Sequence, residues 1–191
     1  MSRASTKSNN LHSLQKLILL YLAENEPTTI NGANEKLGKS YKPTHTAFKS
    51  LEKKKLIKKI RIWKYREQPF SQYWLTDGGI ILAILEGANQ EKLSYQAKQL
   101  RPNDKPLEIF LEIARYIDPQ IIEMTHSSVI EKKSLDIMDI LNILFLQAPS
   151  EMSLENLQKL TTALKKYPEE YNQLKVAKEI IINQLNQIIP D

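Results

Sequence analysis

The side chains best able to do chemistry are gathered in one stretch. Between Lys36 and Arg66 stand twelve Lys or Arg and a single acid, Glu52. Such a concentration suits a polyanion with regularly spaced phosphates, and that points to nucleic acid. Residues 1–91 hold 15 basic and 8 acidic side chains, against 12 and 14 in residues 92–191. The net charge of +5 is therefore +7 on the first part and −2 on the second. Only the first part is built for an anionic partner.

Catalytic constellations are missing. The three histidines, His12, His45 and His126, do not stand at ligand spacing from one another. With no cysteine, neither a disulfide nor a thiolate metal site can form. No H-E-x-x-H, G-x-S-x-G or Walker loop occurs, and glycines 32, 38, 78, 79 and 87 form no phosphate cradle. The pairs Asp136/Asp139 and Glu169/Glu170 read as ordinary helix-surface carboxylates. The expectation is a binding protein and not an enzyme, with no cofactor and no metal. The apolar run Ile80–Leu85 is far short of a membrane span. The first ten residues lack the apolar core of a secretory signal. A cytoplasmic protein with no membrane partner is expected.

Several elements must position the basic residues. Leu14, Leu17, Ile18, Tyr21 and Leu22 give Leu11–Asn25 one apolar helical face. Pro27 breaks the chain, and Thr28 or Thr29 can cap a short helix burying Ile30, Ala33 and Leu37. Gly38 supplies its left-handed stop. A third helix follows, with Ser40 as cap and Pro43 in its first turn. Ala47, Phe48 and Leu51 face inward, which leaves Lys42, His45, Thr46 and Lys49 outside. This is the order of a helix-turn-helix, whose last helix enters the major groove. After Ile57 the period changes to two, with Ile60 and Ile62 on one side and Lys59, Arg61 and Trp63 on the other. The alternation is imperfect, as at a bulge or an edge. Glu67-Gln68-Pro69 turns the chain into a returning strand, Phe70–Leu75. Thr76-Asp77 then caps a helix through Ile80–Leu85 that ends near Gly87. Trp63 and Trp74 read as packing residues of the small sheet.

Three segments in order carry a resemblance: Ala47-Phe48-Lys49-Ser50-Leu51-Glu52-Lys53-Lys54-Lys55-Leu56-Ile57, the Ile60–Trp74 ribbon, and Tyr73-Trp74-Leu75-Thr76-Asp77-Gly78-Gly79. On these, residues 11–88 resemble a winged-helix domain of the MarR/PadR-like prokaryotic regulators. The resemblance implies a recognition helix, about 42–55, in the major groove and a wing, 58–75, on the backbone or minor groove. By position, His45, Thr46 and Lys49 would contact bases, with Tyr41 and Lys42 at the helix start. Lys58, Lys59, Arg61, Lys64 and Arg66 would hold the backbone, and Thr44 and Lys53 complete the expected DNA-binding set. Lys53 and Lys54 also complement the helix dipole. Lys55 stands where the family has glycine. A left-handed backbone costs lysine about 1 kcal/mol, so a differently built turn is expected there.

Residues 1–10 form a polar, basic tail expected to be disordered, and 89–106 an expected linker. From residue 107 the pattern is helical. Leu107, Phe110, Leu111, Ala114 and Ile117 share a face, and Asp118-Pro119 starts the next helix. Ile121, Ile122, Met124, Val129 and Ile130 suggest a less regular segment. Leu135–Leu146 is apolar on most sides, as in the central helix of a bundle or a face shared with a second subunit. Ser153 opens a helix with Leu154, Leu157, Leu160, Thr161 and Leu164 inside. Pro168 begins a last one carrying Tyr171, Leu174, Ile181, Leu185 and Ile188.

The expected fold is mostly α with a small antiparallel β-wing: an N-terminal winged helix and a C-terminal all-α domain over 107–191. The expected function is a DNA-binding transcriptional regulator. Double-stranded DNA, a second copy in a homodimer, and a small-molecule or protein effector at the helical domain are the expected partners. The alternatives are a winged-helix assembly subunit and an RNA-binding protein.

Overall fold

The first helix, α1 (Ser13–Glu24), is fixed at its start by Gln15. Its side-chain oxygen accepts from the His12 N–H at 3.2 Å, and its amide donates to Ser50 Oγ at 2.7 Å. The computed structural model describes residues 11–65, 68–147, 153–169, 172 and 175, with backbone alone at 63–65, 68, 69 and 145. The expected tail, Arg66, and Tyr171, Leu174 and the isoleucine stripe beyond them lie outside the described residues. The chain is mostly helical with one two-stranded sheet, and it divides into two compact units, 1–96 and 97–191.

In the first unit α1 buries Ile18, Leu19, Leu22 and Ala23, while Leu17 is exposed. Of the expected face, Ile18 and Leu22 are buried, whereas Leu14 and Tyr21 are half-buried, so the buried arc is shifted toward Leu19 and Ala23. The helix packs against the segments 41–53, 68–75 and 77–85. Thr29 caps α2 (Ile30–Leu37) by accepting from the Gly32 N–H at 3.0 Å. Gly38, at φ 60°, ends it. The next helix, α3 (Tyr41–Lys53), buries Ala47, Phe48 and Leu51.

The exit from α3 corrects one expectation. Lys55 adopts the left-handed backbone, at φ 59°, where a different turn was foreseen. Its N–H bonds the Glu52 carbonyl and the Leu56 N–H bonds Leu51, both at 3.0 Å, so the last carbonyls of α3 are satisfied. Thr76 holds the same turn from the other side. Its hydroxyl donates to the Lys55 carbonyl at 2.6 Å and its N–H to Leu56 at 3.0 Å. These bonds outweigh the local strain. Lys55→Gly is expected to raise stability by about 0.5–1 kcal/mol. A higher urea midpoint with unchanged slope would register it.

The strands β1 (Ile57–Tyr65) and β2 (Gln68–Leu75) pair antiparallel, with a bulge between Lys59 and Arg61. On the other edge of β2, Thr28 and Tyr73 exchange backbone hydrogen bonds at 2.9 and 3.3 Å. Trp74 is buried and donates its indole N–H to the Leu22 carbonyl at 3.0 Å, so it is a packing residue. The Trp63 side chain lies outside the described residues. Thr76 caps α4 (Asp77–Leu85), accepting from the Gly79 N–H at 3.1 Å. A Cβ on Gly79 would stand 1.9 Å from the Leu56 carbonyl oxygen. Glycine there is what lets α4 press onto the turn leaving α3.

The segment expected as a linker carries α5 (Gln90–Leu100), and the division between units falls inside it. Asn89 caps it, and Leu93 and Ala97 supply a narrow buried stripe.

In the second unit Asp104 caps α6 (Lys105–Ile113), which buries Leu107, Ile109, Phe110, Leu111 and Ile113. A 3₁₀ turn over Ala114–Tyr116 follows. Asp118 caps α7 (Pro119–Lys132) by accepting from the Gln120 N–H at 2.7 Å. This helix is regular, contrary to expectation, because Thr125 and His126 complete its inner face with Ile122 and Val129. Asp136 and Asp139 are a reciprocal cap on α8 (Ile137–Leu146), and Lys132 bridges both at 3.0 and 2.8 Å. Ile140, Leu141 and Ile143 are buried, whereas Met138 and Leu146 are exposed, so α8 is half covered and not enclosed on most sides. Ser153 caps α9 (Leu154–Lys165), which buries Leu160, Ala163 and Leu164. Leu154, expected inside, is 71% exposed because it precedes the packed turns. Among the described residues no helix is long and apolar enough to cross a membrane.

Candidate nucleic-acid interface

Burying Ala47, Phe48 and Leu51 fixes the rotation of α3 and so decides which side chains face out. Tyr41, Lys42, Thr46, Lys49 and Lys53 are exposed and His45 is half-exposed, all on one helix. Tyr41, 52% exposed, lies with its ring centroid 5.7 Å from that of His45. The Thr46 hydroxyl donates to the Lys42 carbonyl at 3.0 Å. Thr44 departs from the expected set. It is fully buried and its hydroxyl donates to the Ser40 carbonyl at 3.0 Å, so it packs the turn between α2 and α3 and cannot reach a ligand.

On β1, Lys58, Lys59 and Arg61 are exposed. Ile62, expected on the same side as the half-buried Ile60, is 67% exposed. The bulge between Lys59 and Arg61 leaves Ile60 unpaired and resets the alternation after it. Lys64 stands on β1 opposite Pro69, its side chain outside the described residues. Arg66 lies outside them altogether. Lys36, Lys39 and Lys55 are exposed as well, although the family positions did not single them out. Their signal was membership of the same basic run.

Glu52, in the last turn of α3, joins helix to ribbon. One carboxylate oxygen lies 3.2 Å from Lys49 Nζ and the other 3.9 Å from Lys59 Nζ. The hydrogen bond to Glu52 holds the Lys49 ammonium above its ordinary pKa, with the neighbouring Tyr73 adding to it. Burial pushes the Tyr73 hydroxyl up, and the Glu52 charge adds to that. Lys49 is therefore charged throughout the physiological range. Among the described residues, no acid lies within ion-pair distance of Lys42, Lys53, Lys58 or Arg61.

The arrangement can bind an extended anion with cations from two adjoining elements, and it offers hydroxyl, imidazole and ammonium donors from one helix face. Among the described residues no three His, Asp or Glu gather as a metal site. In the second unit an open cleft of about 270 Å³ is lined by Glu112, Tyr116, Glu155, Gln158, Lys159 and Lys166. Lys159 pairs with Glu155 and Lys166 with Glu112, so its charges are already matched. No protein-family model, curated protein or solved structure matches this chain.

Proposed function

We propose that residues 11–88 are a winged helix-turn-helix domain that binds double-stranded DNA, and that the chain is a cytoplasmic transcriptional regulator of MarR/PadR-like type. One observation carries the reading. The outward face of α3 and the adjoining strand β1 expose a run of cations in which Glu52 is the one acid. On this reading α3 lies in the major groove, where Lys49 can donate to guanine O6 and N7 and the Thr46 methyl can meet thymine. Lys58, Lys59 and Arg61, with Lys64 and Arg66, hold phosphates.

The helical second half would then dimerise, sense an effector or recruit a protein. A twofold dimer sets two copies of α3 about one DNA turn apart and calls for a pseudo-palindromic site. Selection of bound duplexes from a random pool tests this, and a symmetric motif is the expected result. Competition with RNA of the same length separates the polyanions. Preference for RNA, or no enrichment at all, would overturn the DNA reading.

A further inference from the structure

We infer that Glu52 is the specificity-determining residue of the α3–β1 face, keeping Lys49 from indiscriminate phosphate binding. The inference rests on the DNA reading above. Its observation is separate: the lone acid of the basic run does not point away from it, but sits between a lysine of the helix and a lysine of the strand, at 3.2 and 3.9 Å.

The physical argument turns on the charge of the acceptor. An ammonium has three N–H donors. Lys49 can keep one on Glu52 and offer the others to guanine O6 or N7, which are neutral and tolerate a carboxylate nearby. A phosphate brought to the same ammonium meets the Glu52 charge well within the screening distance and is repelled. To accept it, Lys49 must leave Glu52. Lys59, 3.9 Å from the other oxygen, helps to hold the carboxylate in place beside Lys49. The carboxylate thus weakens the contact every sequence offers and spares the contact only some sequences offer. The Glu52 side chain is about one-third exposed, so its charge is not enclosed in the core.

The test compares the full chain with Glu52→Gln on two duplexes of equal length, one selected by the protein and one scrambled. Glu52→Gln is expected to tighten scrambled DNA by roughly three- to tenfold and to steepen its salt dependence by about one unit of slope. Affinity for the selected duplex should change by less than about twofold, so that sequence preference falls. In a Lys49→Gln/Lys59→Gln background the same change should lose most of its effect. Equal tightening on both duplexes, or a gain that persists without the two lysines, would mean bulk charge only and overturn the inference. Unchanged binding of Glu52→Gln to both duplexes, with an unchanged melting temperature, would overturn it too. A parent chain that binds neither duplex in a salt-dependent way removes the DNA reading itself.

Discussion

Gly79→Ala is expected to abolish cooperative folding of the first unit. The new methyl would stand 1.9 Å from the Leu56 carbonyl oxygen, well inside any contact distance. That oxygen belongs to backbone and already accepts from the Thr76 N–H, so no rotamer change relieves the clash. Either α4 lifts from the sheet or the Lys54–Leu56 turn opens. The first exposes Ile80 and Ile81, both buried, and the second breaks the satisfied end of α3. The loss should exceed about 4 kcal/mol, much of the stability of a domain this size. Circular dichroism on heating would show the cooperative transition broadened or gone. Gly32→Ala is the control. There the added carbon meets the Thr28 hydroxyl at 2.5 Å, the end of a side chain that can rotate away. A variant at Gly79 that melts within a few degrees of the parent would contradict the account of the α3–β1–α4 junction.

The second large effect is on binding. Replacing Lys42, Lys53, Lys58 and Arg61 together by Gln should weaken duplex DNA by on the order of a hundred- to thousandfold at moderate salt. Because these four are exposed and have no acidic partner among the described residues, the fold should be unaffected. The melting temperature is therefore expected to stay near that of the parent while the salt slope shrinks by roughly three to four. Fluorescence anisotropy with a labelled duplex, read beside a thermal melt, separates the two outcomes. Weak binding accompanied by a collapsed melt would place these residues in the fold and not in the interface.

What the residues disclosed follows from how local each signal is. The caps at Thr29, Thr76, Asp118 and Ser153, and the stop at Gly38, stood out because each depends on a few neighbouring residues. The change of period after Ile57 likewise marked the ribbon. The inward set Ala47–Phe48–Leu51 fixed the outward set of α3. Longer-range effects were hidden. Thr44 looks like any polar residue on a recognition helix until its hydroxyl is seen to be satisfied by the carbonyl four residues back. Ile62 looks like a companion of Ile60 until the bulge between Lys59 and Arg61 separates them. The buried arc of α1 depends on three elements packing around it, which α1's own residues do not encode. Polar members of a buried face, Thr125 and His126, concealed the regularity of α7. Lys55 is the reverse case. Its intrinsic preference argued against the left-handed turn, and bonds from Thr76, distant in sequence, decided for it.

The central claim is that α3 and β1 together bind the phosphate backbone of duplex DNA. It is tested most directly by the affinity of the whole chain for a duplex measured across a range of salt concentrations. The account predicts a linear fall of log affinity with log salt, with a slope of at least about −4 per bound chain. A slope near zero, or binding too weak to detect at low salt, would contradict it.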